Sequence, residues 1–172
     1  DILGSNTDAH HYTQLAEKIK TRYNATYFNG SDMYENKGSC QTANAMSLAA
    51  GLVQPQHQQA VLDKIVEDIR ARDNQQTSGD IGYTYLIRAL QQMNRSDVIF
   101  DMANRTEIGS YGGILAKGWT SMPEAWDALL TSSMNHFMLG HIQQWFYESL
   151  AGIAPDPANP GFKNIIIKPE VV

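Results

Sequence analysis

Residues 39–52 read Ser39-Cys40-Gln41-Thr42-Ala43-Asn44-Ala45-Met46-Ser47-Leu48-Ala49-Ala50-Gly51-Leu52. The run is small and apolar on nearly every side and carries no charge, so the helix it forms is buried all round. Gly51 and Pro55 mark its end. The flanking segments differ. Residues 57–72 carry Val61, Leu62, Ile65, Val66 and Ile69 as a stripe opposite Asp63, Lys64, Glu67, Asp68 and Arg70, the pattern of a helix that buries one face. Residues 7–23 are likewise amphipathic, through Leu15, Ala16, Ile19 and Tyr23.

The alternation continues. Ser78 or Gly79 opens a second apolar helix with Ile81, Tyr83, Leu86, Ile87, Leu90 and Met93 spread around it, and Ser96 is expected to cap a shorter one with Val98, Ile99, Met102 and Ala103. Residues 31–37 read as a polar loop and Tyr111-Gly112-Gly113 as a Gly-rich loop. A stripe of Met134, Phe137, Met138, Ile142, Trp145 and Phe146 predicts one long helix over 134–150. One-sided and buried helices in turn predict an all-α fold of antiparallel hairpins in two layers, each inner helix shielded by its outer neighbour. The tail, punctuated by Pro155, Pro157 and Pro160, reads as a linker followed by one β-strand around residues 165–167. A lone strand has no pairing partner, so it either packs on the helices or belongs to a sheet beyond them.

Composition narrows the function classes. Of 172 residues, 42% are hydrophobic and 18% charged, which fits a globular domain with a substantial core and not a disordered chain. The net charge of −5, with Lys and Arg scattered, argues against a nucleic-acid or membrane partner. No apolar run approaches the roughly 18–20 residues that cross a bilayer, and the N-terminus carries no basic–apolar–small leader pattern. Cys40 is the single cysteine, so no internal disulfide forms. His10, His11 and His141 invite a metal reading, but adjacent helical residues diverge by about 100° and no Cys or carboxylate completes a set. No cofactor motif is present, neither a phosphate-cradling Gly loop nor a nucleophile elbow.

Chemistry concentrates in Lys117-Gly118-Trp119-Thr120-Ser121-Met122-Pro123-Glu124-Ala125-Trp126-Asp127, followed by Ser133-Met134-Asn135-His136. An acid flanked by indoles suits a sugar site: the rings stack on pyranose faces and the acid moves a proton. The plainer reading is a helix beginning near Pro123 with Glu124 in its first turn, and indoles that only fill core.

That segment, the Asn135-His136 pair that follows it, and Trp145-Phe146-Tyr147 through Leu150-Ala151-Gly152-Ile153 and Pro160-Gly161-Phe162-Lys163 resemble the bacterial α-L-rhamnosidases, although the stretch between Glu124 and His136 is shorter than is usual in that family. The segments Asp1-Ile2-Leu3-Gly4, 12–28, 41–51 and 77–90 extend the likeness over nearly the whole chain. The resemblance implies an inverting glycoside hydrolase with an (α/α)6 barrel, of which residues 1–153 form about half. Residues 154–172 are then a linker and the first strand of a C-terminal β-domain. It implies Glu124 as general base, with His136, Asn135, Trp126, Trp119 and Tyr111 binding a rhamnose-containing oligosaccharide or glycoside, and a general acid upstream of this chain. Pro123, Ala125 and Tyr111 replace the tryptophan, arginine and tryptophan usual in the family, which leaves a different sugar open. A non-catalytic helical module that self-associates through uncovered inner-helix faces is the alternative of another class.

Overall fold

The computed structural model describes residues 4–34 and 40–171. The expectations for Asp1-Ile2-Leu3, for Ser39 and for the second half of the 31–37 loop lie outside the described residues. The elements are α1 (Asn6–Tyr27), α2 (Cys40–Ala49), a 3-10 turn (Pro55–His57) leading into α3 (Gln58–Ala71), α4 (Asp80–Gln92), α5 (Ser96–Ala103) and α6 (Tyr111–Ala116). A 3-10 turn (Phe137–His141), α7 (Ile142–Trp145) and a π-helical turn (Phe146–Leu150) follow, then β1 (Ile153–Pro155) and β2 (Ile165–Ile167).

The fold is mainly helical and two-layered, as the alternation predicts. Helices α2 and α4 are the inner pair: Ala45 and Leu48 meet a side of α4 on which Tyr83, Leu86, Ile87 and Leu90 are all essentially inaccessible. Outside them, α3 turns Val61, Leu62, Ile65 and Ile69 inward and α5 does so with Val98, Ile99 and Met102. Gln41 at the start of α2 reaches Asp68 near the end of α3, so these two helices are antiparallel. Thr42 meets Ser78, and the Cα of Gly82 faces the Thr42 side chain, so α2 and α4 are parallel with their N-termini together. Arg70 of α3 links the outer layer to α5 through Asp101 and Asp97. These exposed pairs contribute little to stability.

Several elements differ from expectation. Helix α1 extends to Tyr27 but buries no residue; Leu15 and Ile19 of its apolar stripe are 42% and 56% exposed, and Tyr12 is 65% exposed. Among the described residues its side-chain bonds to the rest of the fold come from its C-terminal half, where Lys20 and Asn24 donate to Gly51 and Leu52 carbonyls and the Tyr23 hydroxyl meets Ser47. Ser96 does not cap α5: it is the first helical residue, and its hydroxyl accepts the Trp145 indole N–H at 2.9 Å and donates to Glu170. The Gly-rich loop is a short helix, because Ser110 caps it by accepting the Gly113 N–H at 3.1 Å.

The long helix expected over 134–150 begins only at Phe137 and changes type twice. The Leu139 carbonyl, which a regular helix would offer to the amide four residues on, accepts a hydrogen bond from the Tyr111 hydroxyl, and Gly140 adds low helix propensity.

The lone strand has a partner after all. β2 pairs antiparallel with β1, Ile153 opposite Ile167, a partner too short to show alternation in the sequence. The tail then folds back on the helices: Lys168 N–H donates to Gly152 O at 2.7 Å and Glu170 N–H to Ser149 O at 2.9 Å. Gly152 has φ +68°, and a Cβ there would lie 2.0 Å from Pro169 N. Gly152→Ala is therefore expected to lower stability by about 2 kcal/mol or more, through left-handed strain and the clash. Its denaturation midpoint measures this, and trypsin should cut faster at Lys163.

Candidate active site

The N-terminal ends of α2, α4 and α6 meet around the stretch that carries Glu124. The junction begins with Gln41, wholly buried: its amide donates to Asp68 Oδ2 at 2.8 Å and Gln75 O at 3.1 Å, while its oxygen accepts the Thr77 N–H at 2.7 Å. Residues 75–77 are thereby fixed in an extended course, and the next residue, Ser78, presents its carbonyl to the Trp126 indole N–H at 2.8 Å.

Trp126 is 9% exposed and packs edge-to-face on Tyr83 (centroids 5.1 Å, 76°) and Tyr111 (5.2 Å, 84°). It was expected to touch sugar. Its indole N–H and both ring neighbours are instead supplied by the protein core, so it supports the segment from beneath. Tyr111, half-buried as the first residue of α6, donates its hydroxyl proton to Leu139 O. Burial pushes the Tyr111 and Tyr83 hydroxyls well above the usual tyrosine range, so both stay protonated donors.

No helix starts at Pro123. Residues 122–124 run antiparallel to 133–136: Glu124 N–H donates to Ser133 O at 3.1 Å and His136 N–H to Met122 O at 3.0 Å. This closes residues 125–132 into a loop and sets the glutamate and the histidine on adjacent irregular segments joined by two backbone hydrogen bonds. The Glu124 side chain is exposed and makes no ion pair or hydrogen bond among the described residues, so nothing within them neutralises it. His136 is half-buried, and its ring Nδ1 is buried without a hydrogen-bond partner among the described residues. A buried, unpaired imidazole nitrogen is the kind of group a ligand hydroxyl satisfies. Asn135 is exposed beside it.

Trp119 is half-buried and forms a wall between two hollows. The larger, about 890 Å³, is mainly apolar and is bounded by Tyr111, Ile114, Met122, Phe137 and Phe146 among others. The smaller, about 320 Å³, lies between Trp119, Lys117 and the tip of the 125–132 loop at Leu129 and Leu130. The structure thus brings Tyr111, Trp126 and the Glu124 and His136 segments to one end of the helix layer, with Trp119 alongside. Ser78, Tyr83 and the Leu139 carbonyl are parts of this end that the sequence did not disclose. Two of them act through backbone oxygens, and Tyr83 reads in sequence as one more apolar residue of α4. Among the described residues no three or more His, Cys, Asp or Glu side chains are placed to hold a metal ion. Burial, with Arg88 nearby, depresses the His141 pKa, which keeps that ring neutral at pH 7.

The sequence of residues 1–150 matches the family described as the bacterial alpha-L-rhamnosidase 6 hairpin glycosidase domain, and the chain belongs to that family. It is 29% identical over 171 residues to an alpha-L-rhamnosidase of Streptomyces avermitilis, covering 94% of this chain and 16% of that protein. The structure of alpha-L-rhamnosidase from Dictyoglumus thermophilum superposes with a TM-score of 0.89 at 29% identity, over 98% of this chain and 19% of the other. The Streptomyces avermitilis enzyme complexed with L-rhamnose gives a TM-score of 0.85 at 28% identity, over 95% and 16%. The chain therefore spans less than a fifth of the length of these relatives.

Trp126→Phe keeps the ring but strands the Ser78 carbonyl, and is expected to lower stability by about 1–2 kcal/mol. Trp126→Ala also opens a cavity, and about 3–5 kcal/mol is expected. Urea unfolding of both variants measures the difference.

Proposed function

We propose that this chain is part of a longer glycoside hydrolase that removes terminal α-L-rhamnosyl groups with inversion, acting on rhamnose-containing oligosaccharides or glycosides. Family membership across residues 1–150 carries this reading. It is supported by the L-rhamnose bound in the Streptomyces avermitilis relative.

In the proposed reaction Glu124 is the general base. Its carboxylate takes a proton from the water that attacks the anomeric carbon, while the leaving oxygen is protonated from the opposite face. The two carboxyl groups of an inverting enzyme stand roughly 6.5–9.5 Å apart to admit that water. We assign the second to a segment upstream of this chain. An exposed, unpaired carboxylate is free to hold a water, which suits Glu124 to the role. His136 offers its unpartnered Nδ1 to a sugar hydroxyl, Asn135 adds an amide, and the Trp119 ring provides a stacking face. Tyr111 and Trp126 frame the pocket by fixing the segments that carry these groups. In the same reading residues 1–153 are part of the catalytic barrel, and 154–172 lead into a β-domain that continues the β1–β2 pair.

The test is turnover of an aryl α-L-rhamnoside. The 172-residue chain alone should give none measurable, whereas the longer polypeptide should hydrolyse it with inversion of the sugar product. Glu124→Gln in that polypeptide should lower kcat by about 10³-fold or more with a smaller change in KM. Full activity of Glu124→Gln removes the base assignment, and turnover by the isolated chain removes the upstream acid.

A second reading follows from α1. Its exposed Tyr12, Leu15 and Ile19 form an apolar face of the kind that drives association, so the isolated chain pairs with itself through it. Sedimentation velocity should then show a dimer that Leu15→Glu with Ile19→Glu dissociates.

A further inference from the structure

Lys117 has no role in the reading above, yet it touches both the ring proposed to stack on sugar and the loop that follows the proposed base. Its ammonium lies 4.3 Å from the centre of the Trp119 ring and donates to the Ala128 carbonyl at 3.0 Å. The local chain path makes this double contact possible. Helix α6 ends at Ala116; the N–H of Lys117, the next residue, returns to Ile114 O at 3.2 Å, and Gly118 N–H returns to Leu115 O at 2.9 Å. Gly118 has φ +72°, the left-handed turn that ends helices, and it reverses the chain so that Lys117 and Trp119 lie together.

Loop 125–132 is closed at its base by the Glu124–Ser133 and Met122–His136 backbone bonds and pinned from beneath by Trp126. Past Trp126 it is held internally by Ala128 N–H to Ala125 O, Ser132 N–H to Leu129 O and Leu129 N–H to the Ser132 hydroxyl, after which Leu129 and Leu130 are 68% and 85% exposed. Bonds internal to a loop shape it without fixing it to the body. Among the described residues, the side-chain tie from beyond Trp126 back to the α6 end is the bond from Lys117 to Ala128 O. A charged donor on a carbonyl is stronger than a neutral pair, and an ammonium over an indole face adds attraction in the same direction.

Resting on the proposed function, we infer that Lys117 is a positioning residue: it locks the Glu124 loop and the Trp119 ring into one unit, so that base and stacking face keep a fixed separation. General-base catalysis depends steeply on that geometry, while ground-state sugar contact depends on it weakly. Loss of Lys117 therefore acts on kcat more than on KM.

Lys117→Met retains the length and packing of the side chain without the charge or the donor. Lys117→Arg retains both. In the 172-residue chain, amide exchange of residues 126–132 should rise about tenfold in Lys117→Met, the weight of one charge-assisted bond, with an unchanged melting temperature, and should return to the unsubstituted rate in Lys117→Arg. In the longer polypeptide, Lys117→Met should lower kcat on an aryl α-L-rhamnoside about tenfold with KM within about twofold, and Lys117→Arg should restore it. Unchanged loop exchange in Lys117→Met overturns the inference. Faster exchange with unchanged kcat overturns it too, because the contact is then only structural. Absence of turnover by the unsubstituted polypeptide is the separate mark of a failed functional reading, and the exchange data then decide whether Lys117 orders the loop.

Discussion

The buried amide of Gln41 is the interaction on which the site end of the molecule depends. A primary amide wholly removed from water is destabilising unless its donors and acceptor are met, and here the Asp68 carboxylate, the Gln75 carbonyl and the Thr77 N–H all do so. Those partners come from the end of α3 and the connection into α4, so one side chain joins three parts of the helix layer. The consequence reaches further. With residues 75–77 held, the Ser78 carbonyl faces a defined direction, Trp126 finds it, and the segment bearing Glu124 follows. Gln41 is thus linked, through the Thr77 N–H and the neighbouring Ser78 carbonyl, to Trp126 in the stretch that carries Glu124.

The same logic explains the kind of support the site receives. Aromatic rings at 5–6 Å in edge-to-face contact, with their polar atoms satisfied, resist displacement in all directions. Tyr83, Tyr111 and Trp126 make such a block, and the Tyr111 hydroxyl extends it to the start of the last helical stretch through Leu139 O. The irregular course from Phe137 to Leu150 is then a result of site construction. Residues 133–136 are committed to the backbone bonds with 122–124, and the Leu139 carbonyl is committed to Tyr111, so a uniform helix is not available to this segment.

Where burial alone decides structure, the sequence was readable. The featureless small-residue face of α2, the apolar run of α4 and the single stripe of α3 each state how much of the helix meets water. Reading failed where one hydrogen bond outweighed a pattern. Two glycines after Tyr111 look like a loop, but the Ser110 hydroxyl caps a helix there. The Met134–Phe146 stripe looks continuous, but backbone pairing claims its first turn. β1 escaped because three residues are too few to show alternation. At the site, Glu124 stood out because indoles flank it, and the histidine through its place directly after Asn135. The support of Trp126 did not, because its partner is a main-chain oxygen that no side-chain pattern reports.

The uncovered surfaces have a consistent physical meaning. Helix α1 offers Tyr12, Leu15 and Ile19 to solvent, and β1 and β2 offer Ile153, Ile165 and Ile167. A mainly apolar groove also opens beside the Glu124 segment. A folded unit that seats its inner helices at near-zero exposure has no difficulty burying apolar groups, so these faces are not failures of packing. They lie at opposite ends of the chain, and the chain spans less than a fifth of the relatives it matches. In the proposed reaction the Glu124 end of the layer would supply the base, carried on a segment that Trp126 ties to the core through the Ser78 carbonyl.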